Sequence, residues 1–357
     1  GSEMCIRDSW RPVLGLPSNR SRGRPQALGS ETVSRRIPRM VPGGTSVRRV
    51  AKRAVERALV GSGFAAGRLK RMGASAVILA YHNIVPRGAR PAGDLSLHLD
   101  QEAFGDQLDR VLESHDVVPL ERILDDPEPG GRPHRAAVTF DDGYVGTLTA
   151  GVEELAARDL PATVFVCPGQ LGLEGFWWDR LADPVTGLMP DRVRRHALTV
   201  LHGRQNEVMG WASDSGLGAV QVPSYSHIAD RDGLGQASAD SRIQFGSHTW
   251  SHPNLAAIPD SEVDMEIGTT LDWLEASGLP AIRWLAYPYG LAPDGPRSRV
   301  AEEHRGALLV EGGHARVRGE SPPDLTMIPR VNVPRGLTSD GLALRLAGVV
   351  RRGGDRR

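Results

Sequence analysis

Cysteine is nearly absent from this 357-residue chain, which holds only Cys5 and Cys167. Two cysteines exclude a disulfide framework and a cysteine-rich zinc module. Any metal site must therefore be built from histidine and carboxylate. Lysine is as scarce: Lys52 and Lys70 are the only two, and every other basic residue is Arg. That bias reflects coding composition more than function. No apolar run approaches the ~20 residues of a bilayer span. No apolar core of about 7–15 residues followed by a small-residue cleavage site marks a secretory signal, so the expected location is the cytoplasm.

What is present is a globular composition, 40% apolar and 24% charged, with 42 Gly and 26 Pro. It fits a turn-rich chain of one large or two ordinary domains and excludes collagenous and coiled-coil classes. The net charge of zero hides an asymmetry. Residues 1–72 carry 16 Lys/Arg against 4 Asp/Glu, so the front is basic and the body acidic.

Residues 1–40 scatter Gly, Ser, Pro and Arg without periodicity and read as disordered. The opening nine residues resemble translated vector sequence, and Met40 is the expected native start. A basic helical segment is expected over 41–72. Val47, Val50, Ala51, Ala54, Val55, Ala58 and Leu59 fall on one helix face, with Arg48, Arg49, Lys52, Arg53 and Arg57 around it. Two uses are open for residues 47–59: docking on the chain's own domain, which the small Ala and Val side chains favour, or peripheral contact with an anionic membrane surface. Nucleic acid is not an expected partner, because no aromatic residue interleaves the basic ones. Residues 341–357 read as a basic tail.

Between lies a β-then-α alternation. Strand-like runs occur at 76–81, 136–140, 162–166, 243–245, 284–287 and 307–310. Helical stripes run through Phe104–Leu112, Val152–Ala157 and Val263–Leu274. Such alternation predicts an α/β fold with a parallel sheet or barrel over 73–340. A long insertion at 170–240 interrupts it, with a helix near 191–203 and polar loops.

Polar residues gather where the apolar strands end. Thr139-Phe140-Asp141-Asp142-Gly143-Tyr144 closes one strand with adjacent carboxylates. Side chains alternate along a strand, so a bend at Gly143 is needed to bring both into one pocket. Two close carboxylates ionise together only with a cation between them; the plain alternative is an Asp-Asp-Gly turn. His248-Thr249-Trp250-Ser251-His252 follows another strand, and two histidines four apart can meet on a helical turn and grip one ion. With Asp142 they would leave coordination positions open, as a hydrolytic metal requires. Pro288-Tyr289-Gly290 is a tight turn able to present a backbone N–H and an aromatic wall. Tyr81-His82 places a histidine after an apolar strand.

Together, over roughly residues 75 to 335, these pieces resemble the polysaccharide deacetylase (NodB-homology) family of carbohydrate esterases. The resemblance implies a distorted (β/α)7 barrel with the site at the C-terminal strand ends. It makes Asp141 the general base, and makes Asp142, His248 and His252 ligands of Zn2+ or of Co2+, Ni2+ or Mn2+. The Tyr289 N–H, in the turn opened by Pro288, would hold the oxyanion. Two departures stand out. The Arg that tethers the base in the common pattern is replaced by Ala286, and Arg330 is a candidate substitute. The C-terminal Leu-x-x-His carrying the general acid is missing, since no histidine follows His314. The chain is similar here to the circularly permuted poly-N-acetylglucosamine deacetylase subgroup, which makes His82 the general acid.

The implied activity is hydrolysis of acetamido groups on an N-acetylated glycan or polysaccharide precursor. Two alternatives stay open: another C–N hydrolase of this barrel acting on a small amide or ureide, and a non-catalytic carbohydrate-binding relative. Phe176-Trp177-Trp178 opens the insertion. Trp177 or Trp178 is expected either to stack on a sugar or to plug the insertion against the barrel.

Overall fold

The computed structural model describes residues 43–125, 130–292, 294–315 and 324–349. The lead expected to be disordered, the proposed start at Met40 and residues 350–357 of the expected tail lie outside them. Two units are distinguished, residues 1–55 with 352–357, and residues 56–351.

The strands are β1 (Ser75–Tyr81), β2 (Asn83–Val85), β3 (His98–Asp100), β4 (Asp116–Val117), β5 (His134–Phe140), β6 (Ala162–Val166), β7 (Ile243–Ser247), β8 (Ala281–Ala286), β9 (Gly306–Leu308) and β10 (Val331–Asn332). The helices are α1 (Gly43–Gly61), α2 (Phe64–Met72), α3 (Gln101–Leu112), α4 (Val152–Ala156), α5 (Trp177–Arg180), α6 (Asp191–Thr199), α7 (Gln205–Asp214), α8 (Arg231–Ser238), α9 (Asp260–Ala276), α10 (Asp294–Glu303) and α11 (Ser339–Leu346).

One parallel sheet runs β10-β1-β5-β6-β7-β8-β9, with β4 alongside β5. Every residue of β1, β5 and β6 is buried, as in a parallel sheet covered on both faces. Ile328 pairs with Leu308 of β9, and Val331, three residues on, pairs with Leu79 of β1. The two edges of the sheet are thus joined through residues 328–332, completing a curled, distorted (β/α)7 barrel.

Strand alternation sorts the core into two layers. Val77, Leu79, Tyr81, Ala136, Val138 and Phe140 pack outward with Phe104, Leu108 and Leu342. Ala76, Ile78, Ala137, Phe165, Trp284 and Leu308 form the inner layer. On β5 the inner face therefore continues from Ala137 to Thr139 and arrives at Asp141.

The helical segment expected over 41–72 is described from residue 43 as two helices, divided where Gly63 takes φ 76. Val50 and Val55 of α1 are exposed, and α2 packs Ala65 and Leu69 against Leu344 and Ala347. Two sequence expectations need correction. The expected tail begins as α11, whose Leu342, Leu344 and Leu346 are buried, so a buried face overrides the basic character read from 341 onward. The insertion carries α5, α6, α7 and α8 rather than one helix with loops. Short helices separated by Gly and Pro gave too little periodicity to read. Among the described residues no helix is long and apolar enough to cross a membrane.

Candidate active site

Asp141 and Asp142 follow β5 and are both buried, 2% exposed. The inner-face alternation aims Asp141 into the barrel, and by the same rule Asp142 would face away. The chain reverses at Asp142 itself, with φ 75, and Gly143 continues at φ 71. The bend thus starts one residue before the expected Gly143. A non-glycine residue in this region is uncommon and costs about 1 kcal/mol or more.

The histidines come from the loop after β7. Their expected helical turn is absent: Thr249 and His252 both take left-handed backbone, at φ 64 and 62. The loop is held from α9, where Glu266 accepts hydrogen bonds from the Ser251 backbone N–H at 2.7 Å and the Ser251 hydroxyl at 2.5 Å. Among the described residues six non-glycine positions have positive φ, and four of them, Asp142, Thr249, His252 and Tyr289, lie here. Concentrated strain of this kind is characteristic of functional sites.

Asp142 Oδ1 lies 3.4 Å from His248 Nε2 and 3.4 Å from His252 Nε2. That carboxylate oxygen is buried and has no hydrogen-bond partner. Two ligand atoms each ~2.0–2.2 Å from a tetrahedral ion stand ~3.3–3.6 Å apart. The spacing and the orphaned oxygen fit a divalent cation, and Asp142, His248 and His252 are the one such group found among the described residues. His248 Nδ1 donates to the Ala286 carbonyl at 2.7 Å, which leaves Nε2 to the cluster. His252 Nδ1 has no partner. Its ring is instead surrounded by Tyr289, His248, Trp178 and Phe176, at centroid distances of 4.6, 4.7, 5.0 and 5.6 Å.

Asp141 has different company. Arg330 Nη1 and Nη2 donate to its two carboxylate oxygens at 2.8 and 2.6 Å. Arg330 is fully buried, donates from Nε to the Leu309 carbonyl and from Nη1 to Thr139 Oγ1, and lies over Phe165. Burial alone would raise the Asp141 pKa. The charges of Arg330 and His248 outweigh it and hold the carboxyl well below its ordinary value. Burial likewise opposes ionisation of Asp142, yet His248 and His252 hold it low. Burial and then the His248 charge push His252 down to about 3. For His248 burial is outweighed by Asp141 and Asp142, and its pKa is raised.

His82 follows β1 and is partly buried, with its carbonyl accepting from Thr147 Oγ1. Burial lowers its pKa, against the opposing fields of Asp142 and Asp141. Pro288 is buried and opens the turn in which Tyr289 stands at φ 59, ψ 6. Gly290 follows at φ 71, where a Cβ would meet Val310 Cγ1 at 2.4 Å.

The aromatic trio does not form an open wall. Phe176 and Trp177 are 1% exposed and Trp178 5%. Of the two arrangements open to Trp177 and Trp178, their burial favours plugging the insertion against the barrel over stacking on a sugar. Thr139, Glu266 and the Ala286 carbonyl are parts of the site that sequence reasoning missed. Thr139 stands in the quoted motif, and its inner-face parity with Asp141 was the available signal. Nothing local marks the other two.

Residues 129–304 match the family model for polysaccharide deacetylase. Among solved structures, the chain is similar to the Streptococcus pyogenes deacetylase PplD in complex with acetate, at 16% identity and TM-score 0.51 over 77% of this chain and 99% of that one. A polysaccharide deacetylase from Bacillus cereus gives 17% and 0.53, over 77% and 69%. IcaB from Ammonifex degensii gives 17% and 0.52, over 77% and 98%. At such identities the likeness is one of fold. No curated protein matches the sequence.

Proposed function

The chain belongs to the polysaccharide deacetylase family, and from that premise we propose that it is a metal-dependent N-deacetylase releasing acetate from an N-acetylated glycan or polysaccharide precursor. The observation that carries this reading is the division of labour between adjacent carboxylates. Asp141 is committed to Arg330, while Asp142 faces two histidines with an unpartnered oxygen. Pairs of titratable groups held in different environments mark acid, base and ligand roles.

Asp142, His248 and His252 would hold the ion. A divalent cation such as Zn2+ bound there would supply Lewis acidity to the acetamide carbonyl and lower the pKa of water toward ~7. Asp141 takes the proton of the attacking water. Arg330 occupies one lone pair on each carboxylate oxygen and leaves others open, so it orients the base without blocking it. A carboxyl held this low is a weak base, and it requires the acidified water that a cation held by Asp142, His248 and His252 would supply. The Tyr289 N–H lies in the strained turn beside His252 and donates to the developing oxyanion. His82 gives the leaving amine its proton. Its lowered pKa makes the protonated ring a stronger acid toward that amine.

Zinc-loaded protein should release acetate from N-acetylglucosamine oligomers or lipid-linked N-acetylated sugars and leave cyclic ureides intact. Ureide hydrolysis without acetate release would favour the other C–N hydrolase. Zinc binding without any turnover would favour a carbohydrate-binding relative.

A second proposal concerns location: that the enzyme works in the cytoplasm, at a membrane surface. The exposed Val50 and Val55 of α1, beside Lys52, Arg53 and Arg57, favour peripheral contact with anionic lipid.

A further inference from the structure

Asp179 is fully buried in α5 of the insertion, and its carboxylate collects three hydrogen bonds. Oδ1 accepts from the Asp94 backbone N–H at 2.9 Å and lies 2.7 Å from His98 Nε2. Oδ2 accepts from the Tyr144 hydroxyl at 2.8 Å. That hydroxyl in turn accepts from Trp178 Nε1 at 2.9 Å.

Proton directions in this chain are dictated by its far end. Asn83 Nδ2 bonds the Tyr225 carbonyl, which can only accept, so this atom is the amide nitrogen. It also lies 2.9 Å from His98 Nδ1, which must then accept. His98 Nε2 therefore carries the hydrogen and donates it to Asp179. The fit is close: at Gly93, with φ 85, a Cβ would stand 2.5 Å from Asp179 Oδ1 and 2.9 Å from His98 Nε2.

The two ends of the chain lead to separate parts of the ligand set. Tyr144 is two residues beyond Asp142, in the same reversed loop. Trp178 packs on His252, the ligand whose Nδ1 has no hydrogen bond to orient it. His248 has such a bond to Ala286. Packing must fix His252, and the packing ring is itself pinned through Tyr144 to Asp179.

We infer that Asp179 is a positioning residue that holds two ligands from different strand ends in register, Asp142 through Tyr144 and His252 through Trp178. This rests on the metal site proposed above. It assigns the insertion a part in building the centre, where a network that only stapled the insertion to the barrel would contribute stability alone.

The test is Zn2+ affinity of the full chain, by competition with a chromophoric chelator, together with the absorption spectrum of the Co2+ form. Outer-shell changes typically weaken metal binding about ten- to a hundred-fold. Trp178→Phe, Tyr144→Phe and Asp179→Asn should each weaken Zn2+ binding to that extent and shift the Co2+ bands. Leu344→Ala, in the remote contact between α2 and α11, should lower Tm without moving either. Should Asp179→Asn fail to fold, Tyr144→Phe decides, since it keeps the ring and removes only the hydroxyl that links Trp178 Nε1 to Asp179. Unchanged affinity and spectrum in Trp178→Phe and Tyr144→Phe would overturn the inference alone. A wild type that binds no Zn2+ would overturn the metal site and the inference with it.

Discussion

Arg330 grips both carboxylate oxygens of Asp141 across 189 residues of sequence, and both side chains are buried. Breaking a buried pair from one side leaves an uncompensated charge and costs about 3–5 kcal/mol. Arg330→Met should lose that much in denaturant unfolding, and Arg330→Lys less. With the guanidinium gone, burial dominates and the Asp141 pKa rises. In the wild type the depressed carboxyl contributes stability above its unfolded value, lost only as pH falls through the folded one. In Arg330→Met the acid limb of the pH–rate profile should move to higher pH.

Base and ligand separate by substitution. Asp141→Asn should keep its zinc by elemental analysis and lose acetate release by about a hundredfold or more. Asp142→Asn, His248→Ala and His252→Ala should lose both. Near-normal turnover in Asp141→Asn would remove it as the base.

Zinc binding should release a proton. His252, near 3, is neutral at working pH, but the raised His248 is protonated below its folded value. That charge stabilises the metal-free protein at low pH, and the contribution is lost as pH rises through the raised pKa. Affinity should therefore climb with pH and level off once His248 is neutral. Calorimetry in buffers of different ionisation enthalpy should find close to one proton released on the acid side and none beyond. Affinity independent of pH would contradict this.

His82→Ala should depress turnover on amides far more than on activated acetate esters, whose leaving groups need no proton. Equal losses on both substrates would assign His82 another role.

Sedimentation with anionic vesicles checks the membrane proposal. Because α2 packs into the body, the informative change is charge reversal at Lys52, Arg53 and Arg57 rather than deletion through residue 72. Binding should fall with this change and with salt. Indifference to anionic vesicles at low salt would end that proposal.

The sequence alone determined the parallel α/β plan and the positions where polar groups end apolar strands. Both are local: a buried strand writes itself as an apolar run, and a turn as Asp-Asp-Gly or Pro-Tyr-Gly. It also paired His248 with His252, because residue types and a short spacing carry that signal, and added Asp142 through the order of motifs that resembles the family. Tertiary structure decided the rest. Arg330 meets Asp141 because residues 328–332 join the two edges of the sheet, and no spacing rule encodes that closure. The loop carrying His248 and His252 is a strained left-handed turn pinned by Glu266 from α9, where local pattern read a helical turn. Three adjacent aromatics could have faced a sugar or a core. Burial decided it, and Trp178 is tied through Tyr144 to the buried carboxylate of Asp179, whose partners come from separate segments and meet only when the barrel and its insertion fold together.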